Sequence, residues 1–375
     1  MPHVLILLRD ADLKLNRNPF VETALTYALT YVYSITSTII QPCSITILAD
    51  NNYYSTSSEN LDPEKRFHDF GVPITQAHKT GLGSSAALVT AFTAAVLSYY
   101  LPKDVFDLDD DFSRRRLHNL AQASHCAAQG KVGSGFDVAS AVYGSCLYRR
   151  FSPSILSSNL ESGSKGFAAQ LADTVNESGT AGPWDTEVQK DAVKVPDGLR
   201  LVMCDVDCGS QTPGMVKKVL AWRVEQASIA EQIWENLHKS NGAMAAELKR
   251  VAESGEKEYA GLRRCISNIR AAIRKMSESS GVPIEPPAQT KLIDACSEIP
   301  GVVGGVVPGA GGYDAIALLI EDRQEVVAAL AKLFRDWQFD VTGDVNASAG
   351  GKVGMLGVRE EMEGVRREDS ETYAQ

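Results

Sequence analysis

A glycine-rich segment that runs directly into a long uncharged stretch constrains this chain most. The segment reads Lys-Thr-Gly-Leu-Gly-Ser-Ser-Ala over residues 79–86, and no charged residue follows it before Lys103. Glycine has no Cβ, so its backbone can bend sharply and approach a ligand closely. The first N–H groups of a helix have no partner inside the helix, and the helix dipole adds positive charge there. The pattern predicts a helix from about Ala86 to Tyr100 with an anion site at its start.

Three kinds of turn share this pattern, and the residues discriminate only partly between them. An ordinary helix cap could have the same glycines, although Lys79 adds a cation that favours an anion. The P-loop motif, Gly-x-x-x-x-Gly-Lys-Ser/Thr, does not occur in the sequence. Gly81, Gly83 and Ala86 match the dinucleotide fingerprint, but an acidic loop over residues 104–111 stands where that motif requires a strand. A phosphate site is favoured, and a nicotinamide-dependent oxidoreductase stays as a remote alternative.

The composition is that of a globular protein that acts on small molecules. The 375 residues are 44% hydrophobic, which is sufficient for two domains or one large one. The net charge of -10 argues against a nucleic-acid binder, which needs a basic face. No apolar run approaches the roughly 20 residues of a membrane span. The seven cysteines have no paired zinc spacing. We therefore expect a cytoplasmic protein with reduced thiols.

Periodicity predicts alternating helices and strands, with a domain boundary near residue 195. Apolar residues recur every three or four positions in helices and alternate in strands. The predicted helices cover residues 18–33, 86–100, 114–129, 213–238, 243–253, 257–279, 287–297 and 324–336, and the predicted strands cover 43–49, 72–75, 144–151, 199–205 and 352–358. Residues 152–191 show no periodic pattern and should form long loops. The charged tail from Arg359 should fray.

A second glycine-rich loop, residues 130–139, follows the helix predicted over residues 114–129. It has three glycines in six residues, with Lys131 near its start and Asp137 at the junction with the next segment. Asp137 is either an ordinary helix cap or a carboxylate close to a reacting centre, and the residues favour neither. His118 and His125 precede the loop without a cysteine or carboxylate at metal-ligand spacing, so we expect ordinary core or surface histidines.

A third glycine-rich loop lies near the C-terminal end. The run Val-Pro-Gly-Ala-Gly-Gly-Tyr-Asp over residues 307–314 is flanked by apolar runs, which predicts a tight connection between two buried strands. Ser210 and Thr212 precede a helix that Pro213 can begin. Three glycine loops at strand–helix junctions, with lysines or hydroxyls nearby, indicate a phosphoryl-transfer cleft better than any one of them alone.

The residues in and around these loops resemble the GHMP family of small-molecule kinases. The resemblance lies in residues 79–87, 130–141 and 308–316, and it extends to residues 118–131 and 285–290. It implies an α/β (α+β) two-domain kinase fold, with domains over residues 1–195 and 196–375 and the active-site cleft between them. Family members with these longer stretches use ATP to convert (R)-5-phosphomevalonate into 5-diphosphomevalonate, in the mevalonate route to isoprenoids and sterols.

The resemblance also implies roles for individual residues. The ATP phosphates would bind the first loop, at Gly81, Leu82, Gly83, Ser84, Ser85 and Ala86, with Ser84 or Ser85 near Mg²⁺. The catalytic residues would be Asp137, Lys79 and Lys131. The substrate would contact Ser134, Gly135, Ser210, Gln211, Gly311 and Gly312. The partners would be ATP and phosphomevalonate, without nucleic acid, and the protein would be a monomer or a homodimer.

The start of the chain departs from the family pattern. GHMP kinases open with a Pro-Gly-Lys motif whose lysine lies near the transferred phosphate, and residues Met1–Arg9 contain no such motif. We therefore expect either an N-terminal domain that is incomplete at its start or a homologue that binds ligands with impaired catalysis.

Overall fold

The computed structural model describes residues 17–36, 39–54, 67–68, 80, 82–157, 161–178, 182–209, 214–340, 347–369 and 373. The helices are α1 Pro19–Thr36, α2 Ser84–Tyr100, α3 Asp111–Gln129, α4 Phe136–Tyr143, α5 Ser154–Ser157, α6 Phe167–Asn176, α7 Met215–Glu225, α8 Ala227–Ser254, α9 Ala260–Ser280, α10 Pro287–Ser297 and α11 Gln324–Asp336. The strands are β1 Leu147–Arg149, β2 Glu187–Gln189, β3 Leu199–Gly209, β4 Val302–Val306, β5 Ala315–Glu321 and β6 Ala347–Met355. This mixture of helices with antiparallel sheets confirms the predicted fold class.

Helices form the first hydrophobic core. Helix α2 has no charged residue and packs against both α1 and α3, with Val89 and Leu97 completely buried. Helix α6 adds Phe167, Leu171 and Val175, which follow one another at intervals of four and are all buried. The loop prediction for residues 152–191 was therefore wrong over α6. Three apolar residues at helical spacing carry the signal, and the many Ser, Gly and Asn residues around them obscured it.

A four-stranded antiparallel sheet in the order β4-β5-β3-β6 carries the second main core. Strand β5 is buried on nearly its whole length and pairs with β3 from Leu199 opposite Glu321 to Asp205 opposite Ala315. Helices α9 and α10 pack on β4, and α11 packs near β6. Strands β4 and β5 are antiparallel neighbours joined through residues 307–314, which confirms the predicted tight connection. The domain division at residue 195 stays a prediction.

Some predicted elements were wrong. Residues 43–49 form no strand, and Ile45 and Ile47 are 41% and 46% exposed. Alternation predicts the two faces of a strand, but a strand also needs a neighbour that binds its backbone. The strand predicted over residues 72–75 lies outside the described residues. Helix α3 begins three residues earlier than predicted, because Asp110 rather than Ser113 caps it and accepts the Ser113 N–H.

The segment after β6 returns to the first core instead of fraying. The Ser145 N–H donates to the Glu361 carbonyl at 2.7 Å. The Glu360 carboxylate accepts the Ser145 hydroxyl at 2.7 Å and the Val195 N–H at 3.0 Å. Val365 packs against the first core. Although the tail is highly charged, its backbone and the Glu360 carboxylate therefore form hydrogen bonds with Ser145 and Val195.

Candidate active site

The first glycine turn leads into helix α2 through a left-handed residue. Gly83 has φ +72° and stands at the N-cap, where its carbonyl accepts the N–H groups of Ala86 and Ala87. A glycine cap has no side chain that could accept the remaining N–H groups of the first turn, those of Ser84 and Ser85, so these two can face a ligand. Thr80 holds the approach to this turn, since its N–H donates to Tyr53 and its hydroxyl donates to the Asn52 carbonyl.

The second glycine loop is held between helix α3 and strand β1. Gly135 has φ +77° and caps helix α4, which starts at Phe136. Its carbonyl accepts the side-chain N–H of Gln122 at 2.6 Å, and the Tyr148 hydroxyl donates to the Ser134 carbonyl at 3.3 Å. Gln122 is completely buried. The backbone of the loop is therefore fixed by side chains that come from two different elements.

The two loops meet at Asp137. A Cβ atom placed on Gly83 would lie 3.4 Å from the Cβ of Asp137, so the starts of α2 and α4 are adjacent. Each start presents N–H groups and the positive end of a helix dipole. An anion between them would be attracted by both helices. Asp137 adds one carboxylate to this positive surface, and its Oδ1 accepts the Val138 N–H at 3.0 Å.

His125, which we predicted to be an ordinary core or surface histidine, lies next to this junction. Nε2 of His125 is 3.1 Å from the Ser85 hydroxyl and 4.0 Å from Oδ2 of Asp137. Burial lowers the pKa of His125, and the nearby Asp137 carboxylate opposes that shift. Gln122, His125 and Gln129 are spaced three and four apart on α3. Such a row of polar residues on one face of a buried helix is the sequence feature that could have pointed to His125 as a site residue.

The third glycine loop packs against the start of helix α7. The Gly312 N–H donates to the Ile284 carbonyl at 2.9 Å, and a Cβ on Gly311 would lie 2.4 Å from the same oxygen. A Cβ on Gly312 would face Met215, the first residue of α7. Gln289 is buried and donates to the Tyr313 carbonyl at 2.8 Å. That this loop faces Asp137 stays a prediction.

The predicted site residues fall into three groups. Those on the adjoining first and second loops are Leu82, Gly83, Ser84, Ser85, Ala86, Lys131, Ser134, Gly135 and Asp137, with Lys131 exposed just after α3 ends. Gly311 and Gly312 are on the third loop. Lys79, Gly81, Ser210 and Gln211 lie outside the described residues. The roles that we assigned to all these residues stay predictions.

Two models of one protein family match separate segments of this chain. The model for the GHMP kinases N terminal domain matches residues 65–145, and the model for the GHMP kinases C terminal domain matches residues 256–337. The Lin0012 protein from Listeria innocua has a similar fold, with a TM-score of 0.60 at 19% identity over 93% of this chain and 83% of that one.

Two fungal proteins are similar to this chain over nearly its whole length. A phosphomevalonate kinase of Aspergillus fumigatus is 50% identical over 369 residues, which is 96% of this chain and 75% of that protein. A phosphomevalonate kinase of Gibberella zeae is 50% identical over 367 residues, 96% of this chain and 79% of that protein. The chain therefore belongs to the GHMP kinase family, whose members transfer a phosphoryl group from ATP to a small molecule. Within that family its similarity is to the phosphomevalonate kinases.

Proposed function

We propose that this chain phosphorylates (R)-5-phosphomevalonate with ATP, giving 5-diphosphomevalonate and ADP. The observation that carries the proposal is that the N-termini of α2 and α4, which Gly83 and Gly135 cap, lie next to each other at Asp137. Two neighbouring helix N-termini, each of which attracts an anion, suit a reaction in which two phosphate-bearing molecules must approach each other. The identity of 50% to two fungal phosphomevalonate kinases supports the choice of substrate over other small alcohols. Neither comparison favours a catalytically impaired homologue or an oxidoreductase.

The chemistry of the acceptor indicates what the site has to supply. A phosphate monoester has a second pKa of about 6, so its attacking oxygen is largely anionic at neutral pH. That oxygen bonds to the γ-phosphorus of ATP while the bond from phosphorus to the ADP oxygen breaks. Strong base catalysis is unnecessary, and the main barrier is the repulsion between the two anions. Helix starts and lysines such as Lys131 lower this barrier, whereas Asp137 has a positioning role.

The described residues fit a magnesium ion that the substrates help to hold. No group of three or more His, Cys, Asp or Glu side chains within this part of the chain could hold a metal alone. Magnesium usually takes one or two protein oxygens and completes its shell with phosphates and water. The Asp137 carboxylate and the hydroxyl of Ser84 or Ser85 are oxygen donors of the right kind beside the helix starts. When bound, Mg²⁺ would neutralise charge on the phosphates.

The two substrates are assigned to different loops. We place the ATP phosphates at the loop of residues 81–86 and the acceptor near Ser134 and Gly135. The further contacts to the substrate or to the transferred phosphate that we propose are Lys79, Ser210, Gln211, Gly311 and Gly312. Among the described residues no helix is long and apolar enough to cross a membrane. The cytoplasmic location and the choice between monomer and homodimer stay predictions, which cell fractionation and light scattering would check.

Turnover with two acceptors tests the proposal. Purified chain is incubated with ATP and Mg²⁺, together with either 5-phosphomevalonate or mevalonate, and ³¹P NMR follows the products. We expect ADP and a diphosphate ester from 5-phosphomevalonate, with no reaction of mevalonate. Turnover of mevalonate alone would contradict the substrate assignment. Binding of ATP without turnover of either acceptor would favour the impaired homologue, and stabilisation by NAD but not by ATP would favour the oxidoreductase.

A further inference from the structure

One ring nitrogen of His125, Nε2, lies close to residues in the first turns of both α2 and α4. Nε2 lies 3.1 Å from Ser85 Oγ in the first turn of α2 and 4.0 Å from Asp137 Oδ2 in the first turn of α4. The side-chain amide nitrogen of Gln129 is 3.3 Å from the same atom. The His125 side chain is 4% exposed, and the Phe20 ring packs beside it at 5.5 Å between centroids. A buried ring is therefore directed at the hydroxyl that borders the candidate phosphate site.

The distances distinguish a hydrogen bond from a weaker interaction. At 3.1 Å the Ser85 hydroxyl and His125 Nε2 are hydrogen-bonded, whereas 4.0 Å to Asp137 is too long for a hydrogen bond. A serine hydroxyl has one proton and two acceptor lone pairs. If its proton is directed at Nε2, both lone pairs are free to face a cation. If Nε2 carries the proton instead, it uses one of those lone pairs.

We propose that His125 is a positioning residue for Ser85, whose hydroxyl proton is accepted by Nε2. This inference rests on the proposed function and adds a residue to it. The Ser85 oxygen then presents its lone pairs to the metal ion that accompanies the ATP phosphates, and its rotamer is fixed before the ligand arrives. The side-chain amide nitrogen of Gln129, which can only donate, lies 3.3 Å from the same Nε2, and this contact also requires Nε2 to be an acceptor, with the ring proton on Nδ1.

A nucleophilic role for Ser85 does not fit the geometry. In a Ser-His-Asp triad the serine and the carboxylate contact opposite ring nitrogens, so that the base is oriented from behind. Here Ser85 and Asp137 both approach Nε2 of His125. The three side chains therefore cannot work as a triad, and the contact serves to orient the hydroxyl.

A double-mutant cycle tests whether His125 acts through Ser85. We expect His125→Ala to lower kcat/KM for ATP about tenfold, because one hydrogen bond that orients a ligand group is lost. In the Ser85→Ala background the same change should cost less than about twofold, since the partner is already gone. His125→Gln, whose side-chain oxygen also accepts, should restore most of the activity. Equal losses in both backgrounds would overturn the proposal.

A matched cycle and a spectroscopic measurement separate this proposal from a general loss of structure. The cycle of His125→Ala with Ser84→Ala should be additive, because Ser85 is the hydroxyl bonded to the ring. In protein with ¹⁵N-labelled histidine rings, the His125 signal, identified by its loss in His125→Gln, should show the proton on Nδ1. A proton on Nε2 would overturn the proposal. This readout needs no substrate, so it is independent of whether phosphomevalonate is turned over.

Discussion

The guanidinium group of Arg270 binds the buried carboxylate of Glu285 through two nitrogens. Nη2 lies 2.7 Å and Nε lies 3.1 Å from Oε1 of Glu285, whose side chain is 0% exposed. Arg274 and Thr290 bond the same oxygen. Glu285 directly follows Ile284, whose carbonyl accepts the Gly312 N–H. The ion pair therefore anchors the segment on which the third glycine loop rests.

Removal of this carboxylate should destabilise the chain strongly. Glu285→Ala leaves Arg270 buried without its main partner, and breaking a buried pair from one side costs about 3–5 kcal/mol. We expect the urea midpoint of unfolding, followed by circular dichroism, to fall accordingly. The control is Glu278→Ala, which removes an exposed partner of Lys275 and should cost about 1 kcal/mol or less. Similar midpoints for the two variants would show that Glu285 is not a structural anchor.

The second glycine loop should tolerate no side chain at Gly135. An alanine there would adopt φ +77°, and its Cβ would lie 2.6 Å from Nε2 of Gln122 and 2.8 Å from the Tyr148 hydroxyl. We expect Gly135→Ala to reduce both the melting temperature and the affinity for 5-phosphomevalonate, the substrate that we place near this loop. Gly163→Ala is the matched control, because Gly163 has φ +85° but nothing within 4 Å of the added atom.

The comparison of these two glycines separates backbone strain from collision. A left-handed backbone costs a non-glycine residue about 1–2 kcal/mol. Gly163→Ala should lose stability by that amount without any change in the affinity for 5-phosphomevalonate. Gly135→Ala should lose more, because the Gln122 amide that fixes the loop must also move. Differential scanning calorimetry and titration calorimetry measure both effects. Equal melting temperatures and equal affinities for 5-phosphomevalonate in the two variants would contradict the proposed role of Gly135.

Neutralisation of phosphate charge by lysines should matter more to turnover than proton removal by Asp137. If the acceptor phosphate is already anionic, Lys131→Ala or Lys79→Ala should lower kcat about 100-fold, the loss typical for one group that stabilises developing charge. Asp137→Asn should cost less than the roughly 100-fold expected for a general base. Lys332→Ala, which changes an exposed lysine on α11, is the control for a lysine outside the site. A larger kcat loss for Asp137→Asn than for both lysine variants would restore Asp137 as the base.

The returning tail should contribute to stability through Glu360. Its carboxylate accepts hydrogen bonds from the Ser145 hydroxyl and the Val195 N–H, so Glu360→Ala leaves two partly buried donors without their acceptor. A loss of about 1–3 kcal/mol is expected from such groups. Thermal unfolding of Glu360→Ala beside Glu258→Ala, which changes an exposed glutamate, checks this. If the two variants have the same melting temperature, the Glu360 side chain adds no stability.

Local sequence patterns predicted those elements whose boundaries are set locally. Helices over residues 287–297 and 324–336 were predicted with the bounds that the structure has, since a proline begins one and apolar periodicity defines the other. The turn over residues 307–314 was also predicted, because glycines between two apolar runs leave few alternatives. The same glycines, with their neighbouring lysines and hydroxyls, pointed to the family.

Features that depend on distant partners were missed. Residues 43–49 alternate as a strand does, yet pairing depends on a neighbour that alternation does not specify. The role of His125 at the site depends on three helices meeting at Ser85 and Asp137, which spacing on α3 alone does not reveal. We expected the tail to fray because it is highly charged. The Glu360 carboxylate and the Glu361 carbonyl instead accept hydrogen bonds from residues more than 160 positions away in the sequence. In each case the deciding interaction is tertiary.

Acid should destabilise the chain through a second buried histidine, His118. Burial lowers the pKa of His118 to about 4, Arg115 adds to the shift, and the hydrogen bond with Asn119 opposes it. In the unfolded chain the ring titrates near 6.5. The unfolded state thus binds the proton first as pH falls. The stability contributed by the neutral ring is complete above pH 6.5 and is lost as pH falls from 6.5 towards 4.

The pH dependence of unfolding in His118→Gln checks this window. One such group changes the free energy of unfolding by at most about 1.4 kcal/mol per pH unit. His125 contributes in the same direction, because burial also lowers its pKa. We therefore expect urea midpoints of the wild type to fall between pH 6.5 and 4 more steeply than those of His118→Gln. Replacement of the exposed His238 by Gln should keep the wild-type slope. Carboxylates titrate alike in all three proteins, so parallel curves for His118→Gln and wild type would rule out a buried neutral ring.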